Sequence, residues 1–99
     1  MARLIWSPRS VRDLTEICDY IARDSEDYAR LFAQRVVAVV ESIPKNPRQG
    51  AKVPEYDRDE LRERILQNYR IVYRLRRNAV EVVSIVHGAR LLPTDLLDD

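Results

Sequence analysis

The sequence predicts an α+β domain of order βααβββ, in which a helical hairpin covers one face of a small antiparallel sheet. Two observations carry this prediction. Residues 11–43 contain two runs of apolar residues at spacings of three and four, which is the period of an amphipathic helix. Residues 61–86 instead contain three short runs rich in β-branched and aromatic residues, separated only by Gln67-Asn68 and Arg77-Asn78. Links this short permit only an antiparallel meander.

The chain opens with a strand and a helix. Arg3 to Trp6 is the strand candidate. Ser7 followed by Pro8 marks a helix start, because a hydroxyl can cap free amides and proline lacks a donor that the first turn does not use. The apolar stripe of this helix ends near Arg23.

A second helix follows almost at once, opened by a cap at Asp24 or Ser25 and stopped by Pro44. Two helices joined so closely pack as an antiparallel hairpin. Lys45 to Glu60 is rich in proline and glycine and lacks periodicity, so we expect an irregular connector. The first strand then joins the edge of the same sheet, and residues 1–99 form one domain.

Composition excludes several classes of protein. The longest apolar run falls far short of the roughly 20 residues that a membrane helix needs, so we expect no membrane association. The first ten residues lack the apolar region of a secretory signal, and a cytoplasmic location is the default expectation. With Cys18 as the single cysteine and one histidine, an internal disulfide and a cysteine-based zinc site are excluded. We expect no metal or cofactor.

Positive charge is concentrated on the predicted strands. Leu61 to Arg90 holds seven of the seventeen Lys and Arg residues, all of them arginine, against two glutamates. Alternation along the middle strand predicts one face that packs on the helices and one that faces solvent or a ligand. The first face comprises Tyr69, Ile71, Tyr73 and Leu75, and the second comprises Arg70, Val72, Arg74 and Arg76. Such guanidinium groups suit phosphates or carboxylates, although a solvated face that blocks edge aggregation is the simpler alternative.

The last strand is predicted to be an interior one, because both of its faces are largely apolar. In its alternation, Val83, Ile85 and His87 oppose Val82, Ser84 and Val86. His87 is the chain's one histidine, and it is equally well interpreted as a structural residue or as a proton acceptor.

Several short motifs, in order and spacing, resemble one known family across nearly the whole chain. They are Ser7-Pro8 with Asp13-Leu14 and Ile17, Tyr20-Ile21-Ala22, Ala29 and Phe32, Ile43-Pro44 through Pro47, Leu61-Arg62-Glu63, Tyr69-Arg70-Ile71-Val72-Tyr73-Arg74, and Val86-His87-Gly88-Ala89-Arg90. Together they resemble the RelE/ParE superfamily of bacterial type II toxins, whose βααβββ fold agrees with the periodicity. The resemblance implies a growth-inhibiting toxin encoded with an antitoxin that wraps and neutralises it.

Two branches of that superfamily imply two functions. RelE-like members cut mRNA in the ribosomal decoding site, whereas ParE-like members poison DNA gyrase. If the chain were a nuclease, the resemblance implies that His87, Arg70 and Arg90 would be catalytic, with Glu55 or Glu60 as a complementary acid or base. The residues expected to bind the target or its phosphates are Lys52, Arg62, Arg64, Arg70 and Arg90.

The C-terminal segment favours the ParE-like branch. It contains no tyrosine after Tyr73, and residues 91–99 are acidic and apolar, which is unfavourable next to RNA phosphates. We therefore expect a non-enzymatic gyrase poison, with a ribosome-dependent endonuclease as the alternative and a degenerate toxin that only binds its antitoxin as a third. The residues expected to contact the antitoxin are Arg70, Arg74, Ile21 and Val36.

Overall fold

A computed structural model describes residues 2–97 and contains two helices and five strands in that range. The helices are α1 (Pro8–Ala22) and α2 (Glu26–Ser42), and a short 3₁₀ turn (Ile43–Lys45) follows α2. The strands are β1 (Arg3–Trp6), β2 (Ala51–Lys52), β3 (Leu61–Leu66), β4 (Tyr69–Arg76) and β5 (Ala79–His87). No helix in this range is long and apolar enough to cross a membrane.

Both helices begin where their caps predict. The Ser7 hydroxyl accepts a hydrogen bond from the amide of Ser10, and Pro8 occupies the first turn of α1. Ser25 caps α2 in the same way through the amide of Tyr28. The α1–α2 hairpin of the prediction is therefore confirmed.

The sheet has the order β1-β5-β4-β3-β2 and is mixed. The meander β3-β4-β5 is antiparallel as predicted, but β1 pairs with β5 in parallel, from Arg3 opposite Ala79 to Trp6 opposite Val82. The expectation of a wholly antiparallel sheet is wrong in this respect. The reason is that α1 and α2 together return the chain to the start of the meander, which leaves β1 and β5 running the same way. The predicted connector also contains the short strand β2, at the far edge.

The helices pack on one face of the sheet, which we call the helix face. Its central cluster consists of Phe32, Val36, Val40, Ile71, Val82 and Ile85. Tyr69 also packs here, and Tyr73 lies in an adjoining cluster with Ile43 and Val80. The apolar face predicted for β4 is therefore confirmed for these residues.

The opposite face, which we call the back face, is not an open row of guanidinium groups. A second apolar cluster covers much of it, made of Val53, Leu61, Val72, Val83, Leu92 and Leu96. Leu92 and Leu96 come from the C-terminal segment 91–97, and the Tyr56 hydroxyl holds that segment by donating to the carbonyl of Pro93 and accepting from the amide of Leu96. The prediction of a solvent-facing back face is wrong because this segment folds over it.

A β-bulge changes the alternation of β5. Opposite β4, Tyr73 pairs with Val82 and Val72 pairs with Ser84, so that Val83 is an extra residue. As a result the side chains of Val82 and Ile85 lie on the helix face, whereas that of Val83 lies in the back-face cluster. The predicted grouping of Val83 with Ile85 is wrong, since simple alternation does not anticipate a bulge. The prediction that β5 is an interior strand is confirmed.

Candidate functional site

The predicted basic set is divided between the two faces of the sheet. Paired residues of an antiparallel ladder direct their side chains to the same face. Arg62 pairs with Tyr73 and Arg64 with Ile71, which places both arginines on the helix face, toward the β2 edge. Arg70 lies on the back face, so the structure does not bring these three guanidinium groups together.

Arg70 is an internal ion-pair residue. Its side chain is only 8% exposed, and its guanidinium lies between the carboxylates of Glu55 and Glu63. Nη1 and Nη2 donate to the two oxygens of Glu55 at 2.7 Å each, and Nε donates to Oε1 of Glu63 at 2.7 Å. These charge-assisted hydrogen bonds satisfy most of its donors. The prediction that Arg70 faces solvent or a ligand is therefore wrong, because two carboxylates already bind its guanidinium.

The same cluster fixes the chain after β5. Oε2 of Glu55 accepts the backbone amide of Leu92 at 3.2 Å, and Arg70 Nη1 donates to the carbonyl of Arg90 at 3.4 Å. The hydrogen bonds from Arg70 lower the pKa of Glu55 to about 2, and those from Glu55 raise the pKa of Arg70. Glu55 is thus ionised near pH 7, which makes it an anchor for the chain and unsuited to a proton-transfer role at that pH.

The other predicted cations make local bonds at the β2 edge. Arg62 donates to the carbonyls of Asp59 and Gly50 and forms an ion pair with the Asp59 carboxylate at 2.7 Å. Lys52 lies 4.0 Å from Asp57. Glu60, the other proposed acid or base, pairs with Arg58 at 3.0 Å, and this exposed pair lowers the pKa of the Glu60 carboxyl.

His87 ends β5 at the surface. Its Nδ1 accepts the amide of Ala89 at 3.2 Å, and its ring meets the ring of Tyr69 edge-on at 5.5 Å between centroids. Arg90 lies in the turn beyond it and is exposed, with no carboxylate within ion-pair distance among residues 2–97. The turn keeps His87 and Arg90 near one another on a cleft between α1 and β5.

Of the residues expected to contact an antitoxin, two are unsuited to it. Val36 is 0% exposed in the helix-face core, and Arg70 is enclosed by its glutamates. Ile21 is half-buried at the end of α1, and Arg74 is half-buried on the back face. Only Ile21 and Arg74 are exposed enough to contact a partner. The residues 2–97 contain no group of three His, Cys, Asp or Glu side chains placed to hold a metal.

Sequence reasoning missed two carboxylates that organise this region. Glu63 pairs with Arg70, and Asp13 accepts hydrogen bonds from the Ser84 hydroxyl and the Ile85 amide. A signal for Glu63 was present, because alternation in the strand LRERIL places it on the face opposite Arg62 and Arg64.

The sequence model that describes the ParE toxin of the type II toxin–antitoxin system parDE matches residues 4–92. The chain belongs to this family of toxins. Among curated relatives, toxin RelE2 of Caulobacter vibrioides is 32% identical over 91 residues, which is 92% of this chain and all of that protein. The putative toxin Y4kP of Sinorhizobium fredii is 31% identical over 93 residues, covering 92% and 93% of the two chains.

Solved toxin structures share the fold. A chain of the chromosomal ParDE system from P. aeruginosa superposes with a TM-score of 0.74 at 22% identity, covering 88% of this chain and 96% of that one. The YoeB dimer from Staphylococcus aureus gives a TM-score of 0.58 at 16% identity, covering 87% and 95%. At such identities these likenesses concern the fold alone. The predicted superfamily and its α+β architecture are confirmed.

Proposed function

We propose that the protein inhibits growth as a ParE-like poison of DNA gyrase and that a cognate antitoxin neutralises it. Membership of the ParE toxin family supports a toxin with an antitoxin partner. The structural neighbour from P. aeruginosa is itself described as a ParDE toxin–antitoxin system, which supports the same pairing.

The choice of the ParE-like branch rests on one observation, which is that the guanidinium of Arg70 is buried between two carboxylates. Metal-free RNA cleavage needs cations that converge on one phosphate, together with a base and an acid. Here the most central guanidinium is sealed by Glu55 and Glu63, and Arg62 and Arg64 lie on the other face. Such an arrangement favours a toxin that acts by binding a protein target.

When purified toxin is mixed with gyrase, ATP and plasmid DNA, gyrase should be trapped on cleaved DNA, and linearised plasmid should accumulate. The matched control is the same toxin mixed beforehand with its antitoxin, which should abolish the trapping. The gyrase proposal would be eliminated if supercoiling were unchanged at a large molar excess of toxin, while expression of the same toxin in cells still arrested growth.

A ribosome-dependent mRNA endonuclease is the second candidate, and the open cleft beside His87 favours it. Tyr20, Tyr69 and Arg90 also line this cleft, so it offers aromatic rings and one cation next to an imidazole. This function predicts codon-phased cuts in translated mRNA that His87→Ala abolishes. Intact transcripts during growth arrest would exclude it, and they are the expected result if gyrase is the target.

A further inference from the structure

The parallel pairing between β1 and β5 stops before β5 ends. The last paired residues are Trp6 and Val82, because the chain turns into α1 at Ser7. Residues 83–87 of β5 therefore have a backbone edge that no strand covers within residues 2–97. Unpaired edges of this kind are natural templates for an added strand.

Side chains of the α1 region cover only the first part of this edge. The Ser7 hydroxyl donates to the carbonyl of Val83 at 3.2 Å. Oδ2 of Asp13 accepts the amide of Ile85 at 3.0 Å and the hydroxyl of Ser84 at 2.6 Å. Since the Ile85 amide is already bonded, the edge keeps fewer free groups than its length suggests.

Two backbone groups of the edge remain without a partner among the described residues, and they are the carbonyl of Ile85 and the amide of His87. Because the Ile85 amide points to α1, the alternation of a strand directs its carbonyl, and the amide of His87, the same way. The neighbouring Gly88 amide points the opposite way, to the carbonyl of Asn68. The carbonyl of His87 accepts the amide of Arg90 and is therefore satisfied.

An open cleft of about 650 Å³ lies in front of these two groups. Ile17 and Tyr20 of α1 form the apolar part of one wall, and Asp13 and Glu16 add carboxylates to it. Ile85 and His87 form the other wall. Tyr20 is 66% exposed, although the Arg23 guanidinium lies 5.7 Å from the centre of its ring, so most of this large aromatic side chain is open to a partner. The cleft therefore combines apolar and charged side chains on its walls with a free backbone donor and a free backbone acceptor on its floor.

We propose that this cleft is a slot for one extended segment of the antitoxin, which adds to β5 parallel to it and continues the line of β1. In a parallel ladder one residue donates to the carbonyl before its partner and accepts from the amide after it. A residue opposite Val86 would thus use the carbonyl of Ile85 and the amide of His87. An antiparallel segment would reach the same two groups only from two different residues, opposite Ile85 and opposite His87. Each of those residues would have one backbone group left unpaired, because Asp13 and Arg90 already occupy the other groups of Ile85 and His87.

The lining defines the chemistry of the segment. The residues on either side of the one opposite Val86 would point to the same face as Ile85 and His87, and aliphatic or aromatic side chains would pack there on Ile17 and Tyr20. The parallel direction leads next toward Arg90, whose exposed guanidinium favours an acidic residue. The expected pattern is apolar, any, apolar, then acidic.

This inference rests on the proposed function, since it needs a cognate antitoxin, which we expect to be encoded beside the toxin. The test is amide hydrogen exchange of the toxin alone and in the purified toxin–antitoxin complex. Exchange of the His87 amide should slow by at least about tenfold in the complex, because it gains a backbone partner. The amide of Ile85 should change much less, because Asp13 already holds it.

A pair of variants isolates the backbone donor. His87→Pro removes the amide that faces the slot, at an edge position where proline is tolerated, and His87→Ala keeps it. We expect His87→Pro to weaken antitoxin binding about fivefold or more relative to His87→Ala, as for one lost hydrogen bond. Arg90→Glu should weaken binding as well, through repulsion of the acidic residue.

The outcomes separate the two proposals. A wild-type complex that forms and relieves growth arrest while the His87 amide stays unprotected would overturn the slot and leave the toxin function intact. Equal affinity of the proline and alanine variants would do the same. Failure of any antitoxin to bind the wild-type toxin would overturn both.

Discussion

Replacing Arg70 by methionine should destabilise the fold strongly, because it leaves two carboxylates facing one another without a cation. The side chains of Glu55 and Glu63 are only 19% and 13% exposed, and four of their contacts to the guanidinium are 2.7 Å or shorter. Methionine keeps the unbranched stem of the side chain while removing the charged guanidinium, so that lost packing of the stem contributes little.

Breaking a buried pair by removing one partner costs about 3–5 kcal/mol of unfolding free energy. In a domain of this size such a loss lowers the melting temperature by roughly 15–25 °C. Since small domains have only about 5–15 kcal/mol in total, the variant should be partly unfolded in cells and should lose toxicity for that reason.

A triple variant separates this effect from a direct role of Arg70 in target binding. Arg70→Met combined with Glu55→Gln and Glu63→Gln removes all three charges, and with them the uncompensated buried carboxylates that dominate the loss in the single variant. Urea unfolding should show a large loss in the single variant and a recovery of at least half in the triple, together with returned growth arrest. A single variant that loses less than about 1 kcal/mol, or a triple that stays unstable, would refute the reasoning; a stable triple without toxicity would assign Arg70 to the target.

Two further predictions concern the same region. The pKa of Glu55 is lowered to about 2 in the folded state from an ordinary value near 4.5, so its contribution to stability is complete above about pH 4.5 and is lost as the pH falls toward 2. Glu55→Gln should therefore flatten urea-unfolding stability between pH 4.5 and 2, whereas the exposed Glu41→Gln should not; an unchanged acid slope contradicts this. Gly50→Ala should cost about 1–3 kcal/mol, because the added carbon would overlap the Tyr73 hydroxyl and lie 2.7 Å from the carbonyl of Glu63. Thermal melting measures this loss, with the exposed Ala51→Ser as control, and an unaffected Gly50→Ala would contradict it.

The helices and the meander could be predicted from sequence because local signals determine them. The hydroxyl caps at Ser7 and Ser25 and the short polar turns of the meander act over a few residues. The parallel direction of β1 depends on how the whole hairpin returns to the sheet, and sequence periodicity contains nothing about it. The bulge at Val83 is likewise set by packing across β4 and β5.

The site was harder to predict because charge counts do not show which cations are already paired. Seven arginines on and beside three strands suggested a guanidinium surface, yet the one at the centre, Arg70, is bound by Glu55 from the connector and Glu63 from β3. Glu55 lies 15 residues away in sequence, so only the fold brings the pair together. The C-terminal segment, predicted only as acidic and apolar, covers the back face through Leu92 and Leu96.

The cations that remain unpaired indicate how the toxin meets its partners. Among the cations expected to bind the target or the antitoxin, Arg64, Arg74 and Arg90 form no ion pair within 4 Å in the described part of the chain. They lie on the helix face, on the back face and in the turn after β5. A catalytic phosphate site needs such groups to converge within hydrogen-bonding distance of one anion. Cations spread over separate surfaces instead steer a large acidic partner and set its orientation, because their fields add over longer distances. The arrangement therefore supports our proposal that the toxin recognises extended protein surfaces rather than acting on a single phosphate.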